Sequence, residues 1–320
     1  MVEASWECVI VGGGAAGLSA ALVLGRSRRR TLVVDAGEQS NRPAEGIGGL
    51  LGHDGRAPAD LYAAGRRELA SYPTVHLRAG RVVTAERDGD AFRLKLADGS
   101  SLLTRRVLLA GGMEYRYPDL PRIGERWGRS VFHCPFCHGW EHRDQRLGVL
   151  DRGPAVVERA LLLRMWSGDV TILADGPSGL DPEQSQSLAE AGVSVEERRV
   201  RALRGPGSAL EEIVFADGST RPLDALLVPL TLHQRSKLAE QLGVAFSTAG
   251  PMGDETIEVD PRFATNVPGV FAAGDVTTQM TSVARAIADG SFAAAAIVHD
   301  LVQETAHALL PPSHASDRHE

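Results

Sequence analysis

Continuous apolar runs, glycine breaks and helix-spaced apolar residues alternate along the chain in a regular order. The segment "ECVIVGGGAAGLSAALVLGRS" opens on an unbroken apolar run, stops at three glycines and resumes as an Ala/Leu-rich stretch. "TLVVDAG" at 31–37 is a second apolar run, ending in an acid. Short apolar runs bounded by turn residues predict strands buried on both faces, and the longer Ala/Leu stretch predicts a helix. Strand, glycine turn, helix and strand make a βαβ unit. The glycine- and proline-rich "GEQSNRPAEGIGGLLGHDGRAP" predicts a loop. A helix, "ADLYAAGRRELASY", and two strands, "FRLKLADGS" and "SLLTRRVLLAGG", follow.

Near 114–130 the texture becomes turn-rich, "EYRYPDLPRIGERWGRS", which suits a crossing between domains. Strand and helix patterns then alternate again over 147–224: "RLGVLD", "AVVERALLLRM", "DVTILADG", "EQSQSLAEAG", "VSVEERRV" and "LEEIVFADG". The chain returns through "GVFAAGDVT" to a final helix, "SVARAIADGSFAAAAIVHDLV". The predicted class is α/β, with two Rossmann-like dinucleotide-binding domains, the second inserted into the first.

Composition narrows the function classes. The 320 residues carry a net charge of −7, which argues against nucleic acid or an anionic membrane as the main partner. No apolar run is long enough to span a bilayer. The N-terminal "MVEASWE" is acidic and runs straight into a strand, so no secretory signal is expected. Three cysteines, Cys8, Cys134 and Cys137, are too few for a disulfide-stapled scaffold, and a reducing cytoplasmic compartment is expected.

"GGGAAG" places Gly12, Gly14 and Gly17, with Ala15 and Ala16 between them, directly after a strand and before a helix. Such a turn lets the backbone approach a pyrophosphate at a helix N-terminus. Asp35, with Ala36 after it, ends the second strand, where its carboxylate can accept from ribose hydroxyls. Near the C-terminus, "TNVPGVFAAGDVT" ends a strand in Gly274 and Asp275. It resembles the second flavin-contacting motif of the two-dinucleotide-domain flavoproteins. That resemblance implies FAD as cofactor, held by Asp275 and by a helix opening at Met280, Thr281, Ser282 and Val283. The expected division is then a FAD-binding domain of residues 1–113 and 246–310, an inserted nicotinamide-domain-like unit at 114–245, and a disordered tail at 311–320.

"FHCPFCHGWE" sets Cys134 and Cys137 three residues apart, with His133, His138 and His142 around them. Zinc needs four ligands, and these histidines stand too close to the cysteines to close a tetrahedron, so no metal site is expected. A structural disulfide over so short a loop contributes little. A redox pair beside a dinucleotide-binding βαβ unit fits best.

The order of flavin motif, Cys-x-x-Cys in an inserted α/β unit and C-terminal "AAGD" resembles the low-molecular-weight thioredoxin reductase family over nearly the whole chain. The resemblance implies that Cys137 is the flavin-proximal thiol and Cys134 the exchange thiol, that Asn41 contacts the flavin, and that the protein is a homodimer. The loop carrying Asn41, His53 and Asp54 is expected to pass over the flavin. The reductases carry an Asp directly after the second Cys; here His138 stands there. "CPFCHGWE" resembles instead the dithiol oxidases of the gliotoxin and holomycin pathways. A histidine beside a thiol can take a proton at neutral pH, so His138 is a candidate general base, with a purely hydrogen-bonding role as the alternative.

The second unit departs from the reductases as well. "LGVLDRGPAVVERALLL" has Asp151 and Arg152 where a nicotinamide-binding turn needs glycine, and only Gly153 remains. The Asp151 carboxylate would crowd and repel a pyrophosphate. "VTILADGPSG" then supplies Asp175 and no arginine cluster for a 2′-phosphate. The expected activity is FAD-dependent oxidation of a small-molecule dithiol by O2 without NADPH. The alternative is an NAD(P)H-dependent disulfide reductase. Cys8 is expected to be a buried small hydrophobe, and Trp140 either a core residue or a wall against substrate.

Overall fold

A computed structural model describes residues 6–248 and 250–309, the side chains of 305–309 excepted; the expected tail at 311–320 lies outside them. The chain forms seventeen described strands and eight helices in two compact units: residues 1–39, 62–114 and 232–320, and residues 40–61 with 115–231.

In the first unit the opening βαβ is β1 (Trp6–Val11), α1 (Ala15–Arg26) and β2 (Thr31–Asp35). Helix α2 (Pro58–Leu69) leads to β3 (Val75–Ala79), β4 (Val82–Asp88), β5 (Ala91–Leu96) and β6 (Ser101–Leu109). The sheet runs β3-β2-β1-β6-β5-β4. Its β3, β2, β1 and β6 neighbours are parallel, and β4, β5 and β6 form an antiparallel meander. Strand β6 serves both parts: its first half pairs with β5 and its second half, Val107–Leu109, with a strand near the C-terminus. Two strands of this sheet, β3 and β4, lie outside the segments that the sequence pattern predicts. Their exposed, charged positions at the sheet edges break the apolar pattern that marks a buried strand.

Strand β7 (Met113–Arg116) carries the chain into the second unit, past α3 (Ile123–Arg126) and β8 (Val131–Phe132) to the short helix α4 (Pro135–His138). Then come β9 (Arg146–Leu150), α5 (Ala155–Leu163), β10 (Asp169–Leu173), α6 (Pro182–Glu190) and β11 (Val193–Glu196). Next are β12 (Val200–Arg204), β13 (Glu212–Phe215), β14 (Thr220–Pro222) and β15 (Ala225–Leu227). Strands β11-β10-β9-β15-β8 make a wholly parallel sheet; β12-β13-β14 are antiparallel. The expected single strand "VSVEERRV" is two strands, β11 and β12, split by a bend at 197–199. Helix α6 begins with a full capping box, Asp181 and Gln184 each accepting from the other's backbone amide.

Strand β16 (Thr231–Gln234) returns the chain, followed by α7 (Leu238–Leu242), β17 (Val270–Ala272) and α8 (Val283–Leu309). Helix α8 lies on α1 through small residues. A Cβ on Gly290 would stand 2.1 Å from the Ala16 carbonyl oxygen, and the Ser19 hydroxyl donates to the Ile287 carbonyl at 2.7 Å. No helix among the described residues is long and apolar enough to cross a membrane.

Candidate active site

The dinucleotide turn of the first unit is set by contacts only glycine permits. Gly12 has φ +112°, and a Cβ there would lie 2.2 Å from the Ala110 carbonyl oxygen. At Gly17 a Cβ would lie 1.9 Å from the Gly12 oxygen, so this residue seats α1 on the turn. Gly13 faces the Asp35 carboxyl, 2.7 Å from where its Cβ would be. Gly14 differs, because a Cβ there would meet only the Gln39 Cγ, at 3.7 Å. The chain's own packing does not need that glycine. The room beside it, at the N-terminus of a 12-residue helix beginning at Ala15, fits the approach of a pyrophosphate.

Asp35 sits where the motif requires and is already engaged. Its carboxylate accepts from the Gly13 and Gly37 amides, the Gln39 side chain and, at 2.7 Å, the Arg66 guanidinium. Burial alone would raise its pKa; the Gly37 amide, Arg66 and the Gly13 amide outweigh that and hold it below the usual carboxylate range. Ala36 beyond it is exposed. Arg66 and Gln39 carry no sequence signal, since neither lies at a motif spacing from Asp35.

The C-terminal motif lies in the same unit. Gly274, at φ +81°, precedes a 3₁₀ turn, Asp275–Thr277, and a Cβ on it would stand 2.8 Å from the Ala16 Cβ. Ala16 is therefore buried between Gly274 and Gly290. Ser282 opens α8, its hydroxyl accepting from the Arg285 amide at 3.2 Å and its carbonyl from the Ala286 amide. Thr281 precedes this cap and Val283 begins the helix.

In the second unit Cys134 and Cys137 form a disulfide with their Cα atoms 5.3 Å apart. Cys134 is the N-cap of α4 and Pro135 its first residue, a position where proline's missing N–H costs nothing. The turn is closed by the Gly139 amide donating to the Pro135 carbonyl at 2.7 Å. The loop expected to cover the flavin belongs to this unit and reaches the cysteines: a Cβ on Gly48 would lie 2.6 Å from the Cys137 carbonyl oxygen. That loop is braced by an antiparallel bridge between Ile47 and Arg56 and by Asp54 accepting from the Gly49 amide at 2.8 Å. His53 contacts Arg56, and Asn41 accepts from the Ala44 amide through its carbonyl.

The three histidines differ in setting. The His138 ring stacks on Phe132 at 5.6 Å, and both of its nitrogens are buried with no partner at hydrogen-bond geometry. Burial lowers its pKa; Glu141 opposes the shift and His142 adds to it, while nearby backbone groups of Gly128 and Cys134 oppose it weakly. Burial thus favours the neutral ring of His138. His142 is tied at both nitrogens, to Gln145 Oε1 at 3.0 Å and the Arg129 carbonyl at 3.1 Å, and its ring lies on Phe132. His133 stacks on Trp127 and meets the edge of Tyr115.

Burial, with a smaller push from His138, lowers the His133 pKa to about 4. Between that value and 6.5 the unfolded chain binds a proton that folded His133 refuses. Stability is therefore full above pH 6.5 and falls as the pH drops through this window, by up to about 3 kcal/mol from this residue. The urea midpoint of the wild type is expected to fall between pH 7.5 and 4.5, and His133→Phe to flatten that fall while keeping the ring stack. An unchanged pH slope in the variant would refute the assignment.

Cys8 is fully buried in β1, and burial pushes its thiol up to about 12, with no redox competence. Trp140 is exposed, with the Arg143 guanidinium 4.2 Å from its ring centre, which corrects the core-packing reading.

The turn after β9 is occupied by its own groups. Asp151 accepts from the Arg152 amide and pairs with Arg159 of α5. Gly153, at φ +75°, donates its amide to the Ser178 carbonyl at 2.8 Å. The 176–179 loop is in turn tied to Glu197, which accepts from the Ser178 amide through its side chain and from the Gly176 amide through its carbonyl. Asp175 accepts from the Val200 amide and lies 3.7 Å from Arg199. An arginine does reach the end of β10, then, but from the β11–β12 bend, and it faces a carboxylate.

A dinucleotide turn in one parallel-sheet unit and a cysteine disulfide in another define a disulfide oxidoreductase of the two-dinucleotide-fold class. The chain belongs to the pyridine nucleotide-disulphide oxidoreductase family, whose model matches residues 6–290, and it is a thioredoxin reductase-like enzyme. It is 31% identical to "Thioredoxin reductase tcpT" of Claviceps purpurea, over 90% of this chain and 91% of that one. An oxidoreductase from Agrobacterium tumefaciens superposes with a TM-score of 0.87 at 39% identity, covering 93% of this chain and 99% of the other. The crystal structure of HlmI superposes with a TM-score of 0.88 at 38% identity, covering 95% of each chain.

Proposed function

We propose that this enzyme oxidises a small-molecule dithiol to a disulfide, with FAD as cofactor, O2 as acceptor and no use of NADPH. The observation that carries the direction is the turn after β9. A nicotinamide dinucleotide needs free amides and no competing anion there, whereas Asp151 puts a carboxylate in that position and Ser178 takes up the Gly153 amide. With no nicotinamide to supply electrons, the disulfide must receive them from substrate.

FAD would be held by Gly12, Gly14, Ala15, Ala16 and Gly17 at the pyrophosphate, by Asp35 and Ala36 at the ribose, and by Asn41, Gly274, Asp275, Thr281, Ser282 and Val283 toward the flavin. His138 takes the proton of one substrate thiol at a ring nitrogen, and the thiolate attacks the Cys134 sulfur. The Cys134–Cys137 bond breaks, Cys137 leaves as thiolate and a mixed disulfide joins Cys134 to substrate. The second substrate thiol then displaces Cys134, closing the product disulfide. Two electrons and two protons have moved from substrate to the cysteine pair. The chemistry FAD supplies when bound is to accept those two electrons and release them to O2 as hydrogen peroxide. The sum is dithiol + O2 → disulfide + H2O2. The scarcity of cysteine supports a cytoplasmic setting, and the family resemblance supports a homodimer.

The test is anaerobic flavin absorbance. Dithiothreitol is expected to bleach the flavin and, in air, to yield one peroxide per dithiol, whereas NADPH and NADH leave the spectrum unchanged. Prompt bleaching by either nicotinamide would establish the reductase reading instead.

A further inference from the structure

Hydrogen bonds do not hold the His138 ring, because both of its nitrogens are buried without a partner at hydrogen-bond geometry. A ring in that state takes its plane from what it packs against. It lies on Phe132, with centroids 5.6 Å apart and planes 15° from parallel. Phe132 is buried at the end of β8, where its carbonyl accepts from the Val228 amide at 2.9 Å. The His142 ring lies on the same phenyl group, at 5.6 Å and 7°. His142 is fixed where His138 is not: Gln145 Oε1 holds its Nδ1 at 3.0 Å, and the Arg129 carbonyl its Nε2 at 3.1 Å. Arg129 stands just before β8, so this anchor and Phe132 belong to one short stretch of chain.

We propose that His142 is a positioning residue for the base: anchored at both nitrogens, it packs on the Phe132 ring that sets the plane of His138, and so fixes where the His138 nitrogens point when a substrate thiol arrives. The inference rests on the role given to His138 above. Two further features fit it. Buried nitrogens without partners are costly unless something comes to meet them, and a thiol is such a partner. Charge acts in the same sense. Burial does most to keep the His138 ring neutral; of the titratable groups facing it, Glu141 favours the cation and His142 opposes it. His133, with a pKa of about 4, adds no charge at neutral pH. His142 in turn faces Asp224.

Two readouts on the holoenzyme test this. The first is anaerobic stopped flow, which gives the limiting rate of flavin reduction by dithiothreitol and the concentration for half saturation. His142→Leu is expected to lower the limiting rate about tenfold and to leave half saturation within about twofold, the pattern of a misaimed base beside an intact binding surface. His142→Phe keeps a ring on Phe132 but neither anchor, and is expected to be only about threefold slower than the wild type. Gln145→Ala, at an exposed residue, removes one anchor without entering the core and is expected to be slower by about twofold to threefold. The second readout is the NMR spectrum of labelled histidine in the oxidised enzyme, which needs no turnover. The Phe132 ring current displaces the His138 Cε1 proton signal, and that displacement is expected to shrink in His142→Leu and to persist in His142→Phe. A His138 signal unchanged in His142→Leu, a limiting rate that the Leu and Phe variants share, or a loss carried by half saturation overturns the proposal. If His142→Leu does not fold, Gln145→Ala carries the test, and wild-type values of both its rate and its signal overturn the proposal. A signal that moves in His142→Leu, in an enzyme that dithiothreitol fails to reduce, leaves the positioning of the ring standing and overturns the oxidase reading alone.

Discussion

Cys134→Ser and Cys137→Ser are each expected to lower dithiol-driven oxygen consumption by about 10³-fold or more. Either substitution removes the disulfide that links the two residues, and with it the only acceptor among the described residues that an incoming thiolate can attack. Cys8 cannot substitute: it is buried in β1 with its thiol pushed up to about 12, so at neutral pH it offers neither access nor thiolate. The two variants should differ in one respect. The exchange role of Cys134 predicts that the thiol left in Cys137→Ser reacts with an aromatic disulfide reagent faster than the thiol left in Cys134→Ser. Oxygen consumption retained in either variant would remove the pair from the electron path. The reverse order of reagent reactivity would exchange the two roles and leave the path intact.

Gly290→Ala is expected to lower the melting temperature by roughly 5–10 °C, the effect of about 2–3 kcal/mol of overpacking. The new methyl would lie 2.1 Å from the Ala16 carbonyl oxygen, a backbone atom that cannot turn aside. The usual gain of up to about 1 kcal/mol for alanine over glycine inside a helix offsets only part of this. Ala16 also abuts Gly274 and follows the glycine turn, so parting α8 from α1 disturbs both predicted flavin-binding segments, and FAD content at purification should fall with stability. Gly65→Ala on α2 is the control. Its nearest neighbour is the tip of Leu18, 3.2 Å away and free to rotate, so its melting temperature should change by no more than about 2 °C. Equal effects at the two positions would show that helix composition, and not the contact with Ala16, governs the result.

The elements that were legible in advance are those whose signal is local. The buried strands β1, β2, β9 and β10 are each built on a short, mostly apolar run, and the glycine turn between β1 and α1 needs residues without a Cβ within a few positions of one another. The charged edge strands β3 and β4 were not legible, because edge positions face water and lose the apolar pattern. The bend that divides β11 from β12 was missed for a related reason. "EERR" continues the polar texture of both strands, and the break shows only where Asp175 takes the Val200 amide.

For the site, the same division holds. The chain by itself determined the residue types and their order: a dinucleotide turn, a cysteine pair followed by histidine, an acid in a turn that should carry glycine, and a second glycine–aspartate motif. Only the tertiary structure decided what those residues meet. Arg66 and Gln39 reach Asp35 from a helix and a loop at no motif spacing, and Arg159 pairs with Asp151. Ser178 closes over Gly153, and the glycine-rich loop rests on the Cys137 carbonyl. Periodicity records which face of a segment is buried and turn chemistry records where the chain reverses, and both are properties of a few adjacent residues. Ion pairs and closures join groups tens of residues apart, and their partners are chosen only when the strands take their places in the sheets.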